Sequence, residues 1–168
     1  GVGLVVSSSY VGIGTRSPTV QLEVYGSADQ QIRIDSTGNR AQLQFDGKKT
    51  SDAEFAEINF ANDGDSAAAI HAMRQGANDA ARLAFMTQPA GGGVTERMSI
   101  DSVGNLGIGI TKASSSIHIL HEAPTIRLQD LNHANDTFAQ LNANSSAGSL
   151  EIEADGNNTK SNSQIIFK

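Results

Sequence analysis

Acidic pairs are the first residues of this chain that invite a chemical reading: Asp52/Glu54, Glu54/Glu57 and Glu151/Glu153. Two carboxyl groups about 5 to 9.5 Å apart around a sugar are what glycoside hydrolysis requires. Acidic residues two apart on a strand, however, form its solvated face. Aromatic platforms for a sugar are also scarce, with no Trp and two Tyr. There is no cysteine, and serine neighbours glycine only in turns, so no nucleophile stands beside a base. Four histidines remain. His118 and His121 fall on opposite faces of a straight strand, while His71 and His133 are isolated in sequence. Three copies of one inward histidine would make a transition-metal ring, but His118 lies between Ile117 and Ile119 and is expected to point away from them. Asn62-Asp63-Gly64-Asp65 carries oxygen ligands without the downstream bidentate Glu of a calcium loop, which favours a structural turn. The expectation is a non-enzymatic chain with no catalytic residue, no cofactor and no metal.

The elements that would position any such residue are short strands. Alternating apolar pairs recur at Leu22/Val24, Ile32/Ile34, Leu43/Phe45, Ile58/Phe60, Leu83/Phe85, Met98/Ile100, Ile117/Ile119, Ile126/Leu128 and Leu150/Ile152, the period of half-buried β-strands. Turn residues separate them: Ser36-Thr37-Gly38-Asn39, Asp46-Gly47, Asn62-Asp63-Gly64-Asp65, Val103-Gly104-Asn105 and Asp155-Gly156-Asn157-Asn158. The Ala-rich stretch from Ala67 to Arg82 is the best helix candidate. Gly76, Asn78 and Asp79 interrupt it, and Ile70 to Met73 fits a strand. The spacing predicts an all-β meander.

Two segments are variants of one another. VGIGTRSPTVQLEV at 11–24 answers LGIGITKASSSIHI at 106–119, an internal repeat of about 95 residues. With gaps placed in polar stretches the match continues. Ile32-Arg33-Ile34 faces Ile126-Arg127-Leu128, and Phe55 to Asn59 faces Phe138 to Asn142. Ile70-His71-Ala72 then faces Ile152-Glu153-Ala154, and Ala81 to Phe85 faces Ser163 to Phe167. Residues 1–105 read as a first repeat with its leading strand, and 106–168 as a second, truncated one. The chain reads as a window on a longer tandem array, open at both ends.

Each strand offers two inward side chains, and large residues are few: no Trp, two Tyr and six Phe. Narrow apolar faces are buried economically by stacking along an axis or by sharing among identical chains. Gly12 and Gly14 flank Ile13, and Gly107 and Gly109 flank Ile108. Glycine is costly in a strand and is kept where another group approaches closely. Crowding at a three-fold axis would explain it; the alternative is a bulge or tight bend within one chain.

Ser102-Val103-Gly104-Asn105-Leu106-Gly107-Ile108-Gly109, preceded by Glu96-Arg97-Met98-Ser99-Ile100-Asp101, resembles the shaft repeats of bacteriophage tail fibres. Gly12-Ile13-Gly14-Thr15-Arg16-Ser17-Pro18, followed by Leu22 and Val24, supplies the other half of that phrase. The two motifs, at 96–109 and 12–24, span about a sixth of the chain. The resemblance implies an elongated homotrimeric β-fibre on a virion, associated with other tail proteins and positioning a host-recognition tip for adsorption. A self-cleaving chaperone domain commonly follows such shafts, and nothing in this sequence resembles one. Tyr10 and Ile110-Thr111-Lys112-Ala113 depart from the family phrase, so turn geometry is expected to differ at both places.

On this reading Ile13, Leu22, Val24, Ile108, Ile117 and Ile119 line a trimer core, and Gly12, Gly14, Gly107 and Gly109 permit close approach. The alternatives are a receptor-binding module, with loops 46–54, 62–66, 86–95 and 155–163 contacting a host-surface glycan or protein, and a fibrous adhesin of a cell surface. A net charge of −6 without a basic stripe argues against nucleic acid, since Lys48-Lys49 is an isolated pair. No apolar run approaches the roughly 20 residues of a membrane span. Absent cysteines fit assembly in a reducing cytoplasm before release.

Overall fold

The computed structural model describes residues 3–7, 9–129, 138–144 and 149–154. Twelve strands follow in order: β1 (Leu4–Ser7), β2 (Tyr10–Ile13), β3 (Leu22–Val24), β4 (Glu54–Asn62), β5 (Asp65–Gln75), β6 (Ala77–Thr87), β7 (Thr95–Ile100), β8 (Leu106–Ile108), β9 (Ile117–Ile119), β10 (Thr125–Gln129), β11 (Phe138–Asn144) and β12 (Ser149–Ala154). They form three open sheets, ordered β1-β2-β3, β4-β5-β6-β7-β8-β9 and β10-β11-β12. The fold is all-β, and among the described residues there is no helix, so none long and apolar enough to cross a membrane. The Ala-rich stretch from 67 to 82 is strand, in β5 and β6, broken at Gly76 with φ of 80°.

Two compact units divide the chain, residues 1–44 and 45–168. The first holds the sheet β1-β2-β3. Antiparallel β1 and β2 pair Leu4 with Ile13 and Val6 with Val11, and β3 then joins β2 in parallel, pairing Val11 with Leu22 and Ile13 with Val24. The second unit contains the same device. Antiparallel β7 and β8 pair Met98 with Ile108 and Ile100 with Leu106, and β9 joins in parallel through Leu106 with Ile117 and Ile108 with Ile119. The backbone bonds outside the ladders also correspond. The Gly14 and Gly109 amides donate to the Gly3 and Arg97 carbonyls, those of Tyr25 and Leu120 to Ile13 and Ile108, and those of Val11 and Leu106 to Gln21 and Ser116.

The later hairpins correspond as well. Ile58 pairs with Ile70 in β4–β5, and the residues that sequence matching sets against them, Leu141 and Ile152, pair with each other in β11–β12. The third sheet adds β10, pairing Ile126 with Leu141. Its first-repeat counterpart, Ile32-Arg33-Ile34, is not a strand, and neither is Leu43/Phe45. This corrects the expectation at both places. Residues 35–53 separate Ile34 from β4, whereas only 130–137 separate β10 from β11. The longer connection makes local closure of the three-stranded sheet more costly in entropy.

Very little of the chain is a conventional core. Among the described residues the buried apolar side chains are Ala69 and Ala84, with His71 and Ser99 as buried polar ones. His71, Ala84, Ser99 and Gly107 are register neighbours in one row across β5 to β8. Position 107 itself has no room for a side chain, because the loop leaving β8 folds back over it. A Cβ there would stand 2.5 Å from the Ile110 carbonyl oxygen.

Candidate functional site

Strand alternation sorts the six-stranded sheet into two chemically different faces. On one face, a row runs Ile58, Ile70, Phe85, Met98, Ile108 and Ile119, and a second runs Ala56, Ala72, Leu83, Ile100, Leu106 and Ile117. Every member is apolar. Ile58, Leu83, Ile100 and Ile108 remain 37 to 43% exposed, and Ile117 is 63% exposed. Next to this face a groove of about 350 Å³ opens between β9 and the third sheet, lined by Ile117, Ile119, Pro124, Ile126 and Leu141. Phe45 lies at the other end, edging a cavity of about 130 Å³ with Ala56, Ile58, Ile70, Ala72 and Leu83. In the first unit the pairs Leu4–Ile13–Val24 and Val6–Val11–Leu22 make a smaller face of the same kind.

The six aliphatic residues expected in a shared core therefore all sit on apolar faces: Ile13, Leu22 and Val24 in the first unit, and Ile108, Ile117 and Ile119 in the second. The four glycines do not share that placement. Gly12 and Gly107 belong to the alternate row, beside Glu23 and His118. The close approach they permit is met within one chain, where a Cβ would lie 2.7 Å from the Thr15 carbonyl oxygen at Gly12 and 2.5 Å from that of Ile110 at Gly107. Gly14 and Gly109 have φ of 81° and 72°, and their Cβ atoms would run into the carbonyls of Tyr25 and Leu120. The bend within one chain, the alternative to crowding at an axis, accounts for all four glycines.

The departures from the family phrase resolve differently. Ser7 pairs directly with Tyr10 in the first copy, whereas Ile100 and Leu106 enclose a longer loop in the second. In that loop Asp101 accepts hydrogen bonds from the amides of Asn105 (2.8 Å) and Val103 (3.0 Å), and from Asn105 Nδ2 at 3.1 Å. These donors, the Asn105 amide foremost, hold the carboxyl below its usual range. The loop at 110–113 keeps the geometry of its counterpart. Glu23 receives the Thr19 amide at 2.7 Å, and His118 Nδ1 receives that of Ser114 at 3.3 Å.

Opposite the apolar rows lies a cluster that sequence spacing did not reveal. Glu57 is the register partner of His71, and an irregularity between Glu54 and Ala56 turns Glu54 to the same side. His71 Nδ1 is 3.2 Å from Glu54 Oε2, and its Nε2 is 3.4 Å from Glu57 Oε2. The two-residue turn at Asp63-Gly64 would by itself set Glu57 opposite Ile70. A second irregularity between Phe60 and Ala61 shifts it by one, to His71. Spacing of identical letters carries no trace of that shift.

The remaining candidates separate. Asp52 pairs with Arg74 and accepts the Gly76 amide at 2.8 Å. Arg74 also donates to Asn78 Oδ1 at 3.1 Å and to the Gly76 carbonyl at 2.8 Å, so bonds within the chain fix its guanidinium beside Lys48 and Lys49. His121 Nδ1 accepts the Ala123 amide at 3.3 Å. The side chains of Glu151 and Glu153, together with His133 and the loop 155–163, lie outside the described residues. Asp63 and Gly64 have φ of 51° and 82°, a tight hairpin turn as expected, and Asp65 accepts from Gln88 Nε2 at 3.0 Å. Loops 62–66 and 86–95 thereby meet around a polar cleft of about 210 Å³. Comparison with protein-family models and with curated proteins found no match for this chain.

Proposed function

We propose that this chain is a structural segment of a phage-type tail fibre, a non-catalytic homotrimeric β-shaft that holds a host-recognition tip away from the virion. The observation that carries the reading is the pair of apolar rows across six strands, which the chain's own residues cover only in part. Six strands spaced about 4.8 Å apart present a face roughly 24 Å across. Fully burying each large aliphatic side chain contributes about 1.5 to 3 kcal/mol. Contiguous exposed apolar surface on this scale marks an association site. Identical copies satisfy the need through closed symmetry, and three such faces turned to one axis enclose a common core. The fibre and virion assignment rests on the tail-fibre phrase at residues 96–109 and 11–18.

Sedimentation velocity on the purified chain tests the reading. A species near three times 17.6 kDa with high friction is expected. A compact monomer would overturn it. The polar cleft where loops 62–66 and 86–95 meet favours one second reading, a shaft that also contacts a host-surface glycan. Glycan-array binding abolished by Gln88→Ala would support that role.

A further inference from the structure

We propose that Glu54, Glu57 and His71 form a binding site for a divalent transition metal, with Zn²⁺ as the fitting ion. One donor atom from each residue can be chosen so that all three lie within 4.8 Å of one another. The 3.2 Å between His71 Nδ1 and Glu54 Oε2 is already the edge length of a tetrahedron whose ligands stand about 2.0 to 2.1 Å from zinc. Glu57 Oε2 stands at the Nε2 edge of the ring, so its side chain, 48% exposed, must swing to the Nδ1 edge to reach the same ion. A mixed set of one imidazole and two carboxylates suits zinc and its neighbours better than calcium or magnesium, which take oxygen ligands alone. Solvent would complete the coordination.

Charge balance gives an independent argument. His71 is 9% exposed, and two carboxylates converge on it. Even a protonated imidazole leaves one negative charge over. Among the described residues neither carboxylate pairs with a lysine or arginine: Arg74 is committed to Asp52 and Arg82 to Glu96. A divalent cation would supply the missing positive charge at the edge of the buried ring, where the Glu54 and Glu57 side chains are 41% and 48% exposed and open to an ion from solvent. The ion would also clamp the first residue of β4 to the middle of β5, where the chain enters the sheet from the irregular segment 26–53. The site lies within one chain, on the face opposite the apolar rows, so it stands or fails separately from assembly.

The test is calorimetric titration of the tag-free protein with Zn²⁺, paired with the visible spectrum of the Co²⁺ complex. One ion per chain is expected, with the intense Co²⁺ bands of a tetrahedral site. Affinity should fall at least tenfold in His71→Gln and in Glu54→Gln/Glu57→Gln, while His118→Gln/His121→Gln should bind as the parent does. If His71→Gln does not fold, the half-exposed Glu57→Gln carries the comparison alone. Absence of saturable binding overturns the proposal. So does affinity that survives the Glu variants, or that disappears with His118 and His121.

Discussion

Gly109 and Gly93 make a matched pair for asking what a single Cβ costs. At Gly109 the backbone is left-handed, with φ of 72°, and the Leu120 carbonyl occupies the space; at Gly93 nothing lies within 4 Å and φ is not positive. Gly109→Ala is expected to lose about 1 to 3 kcal/mol in chemical denaturation, and Gly93→Ala to stay within about 0.5 kcal/mol of the parent. Asp101 yields a pH-dependent outcome. Its folded-state pKa is depressed by the Asn105 and Val103 amides, so its stabilisation is full above the unfolded value near 3.9 and is lost as pH falls through the lower folded value. The melting-temperature gap between the parent and Asp101→Ala should therefore be widest near neutrality and close in strong acid. The glycines were legible in sequence as places of close approach. Which atom approaches was not, because the Ile110 and Leu120 carbonyls arrive through a loop whose letters differ from those of its counterpart.

At the scale of elements, a hairpin followed by a parallel strand occurs twice with matching extra-ladder bonds, and it tolerates Thr15-Arg16-Ser17-Pro18 in one copy and Ile110-Thr111-Lys112-Ala113 in the other. Backbone bonds and the returning carbonyl hold the geometry, so side-chain identity there matters little. Hydrogen exchange should follow the ladders. Amides of β5, β6 and β7, paired on both sides, are expected to exchange slowest, and those of 26–53 fastest. Slow exchange at Ile32 to Ile34 would mean that this segment does find a strand partner in solution. Most strands could be read from period-two pairs and turn residues. Ile32/Ile34 and Leu43/Phe45 have the same pattern without the ladder, since alternation states only that a strand would have an apolar face and not that a partner edge is within reach.

For the whole molecule, the expected outcome is that assembly depends on the apolar rows and not on the glycines. Met98→Asp places a charge in the centre of one row, and should drop the sedimenting mass from about three chains to one, whereas Thr111→Asp in the exposed loop should leave it unchanged. Retained assembly in Met98→Asp would remove the apolar face from consideration. Sequence by itself determined the all-β class, the doubled motif and the scarcity of residues for a private core, because these follow from periodicity, repetition and composition along one dimension. Only the tertiary structure decided which face each residue occupies. Register is set by hairpin turns and by one-residue irregularities, and a single extra residue in β5, opposite Phe60 and Ala61, brought Glu57 to His71. The same ladders aligned the aliphatic side chains of six strands into two rows while turning the glycines beside them to the other side.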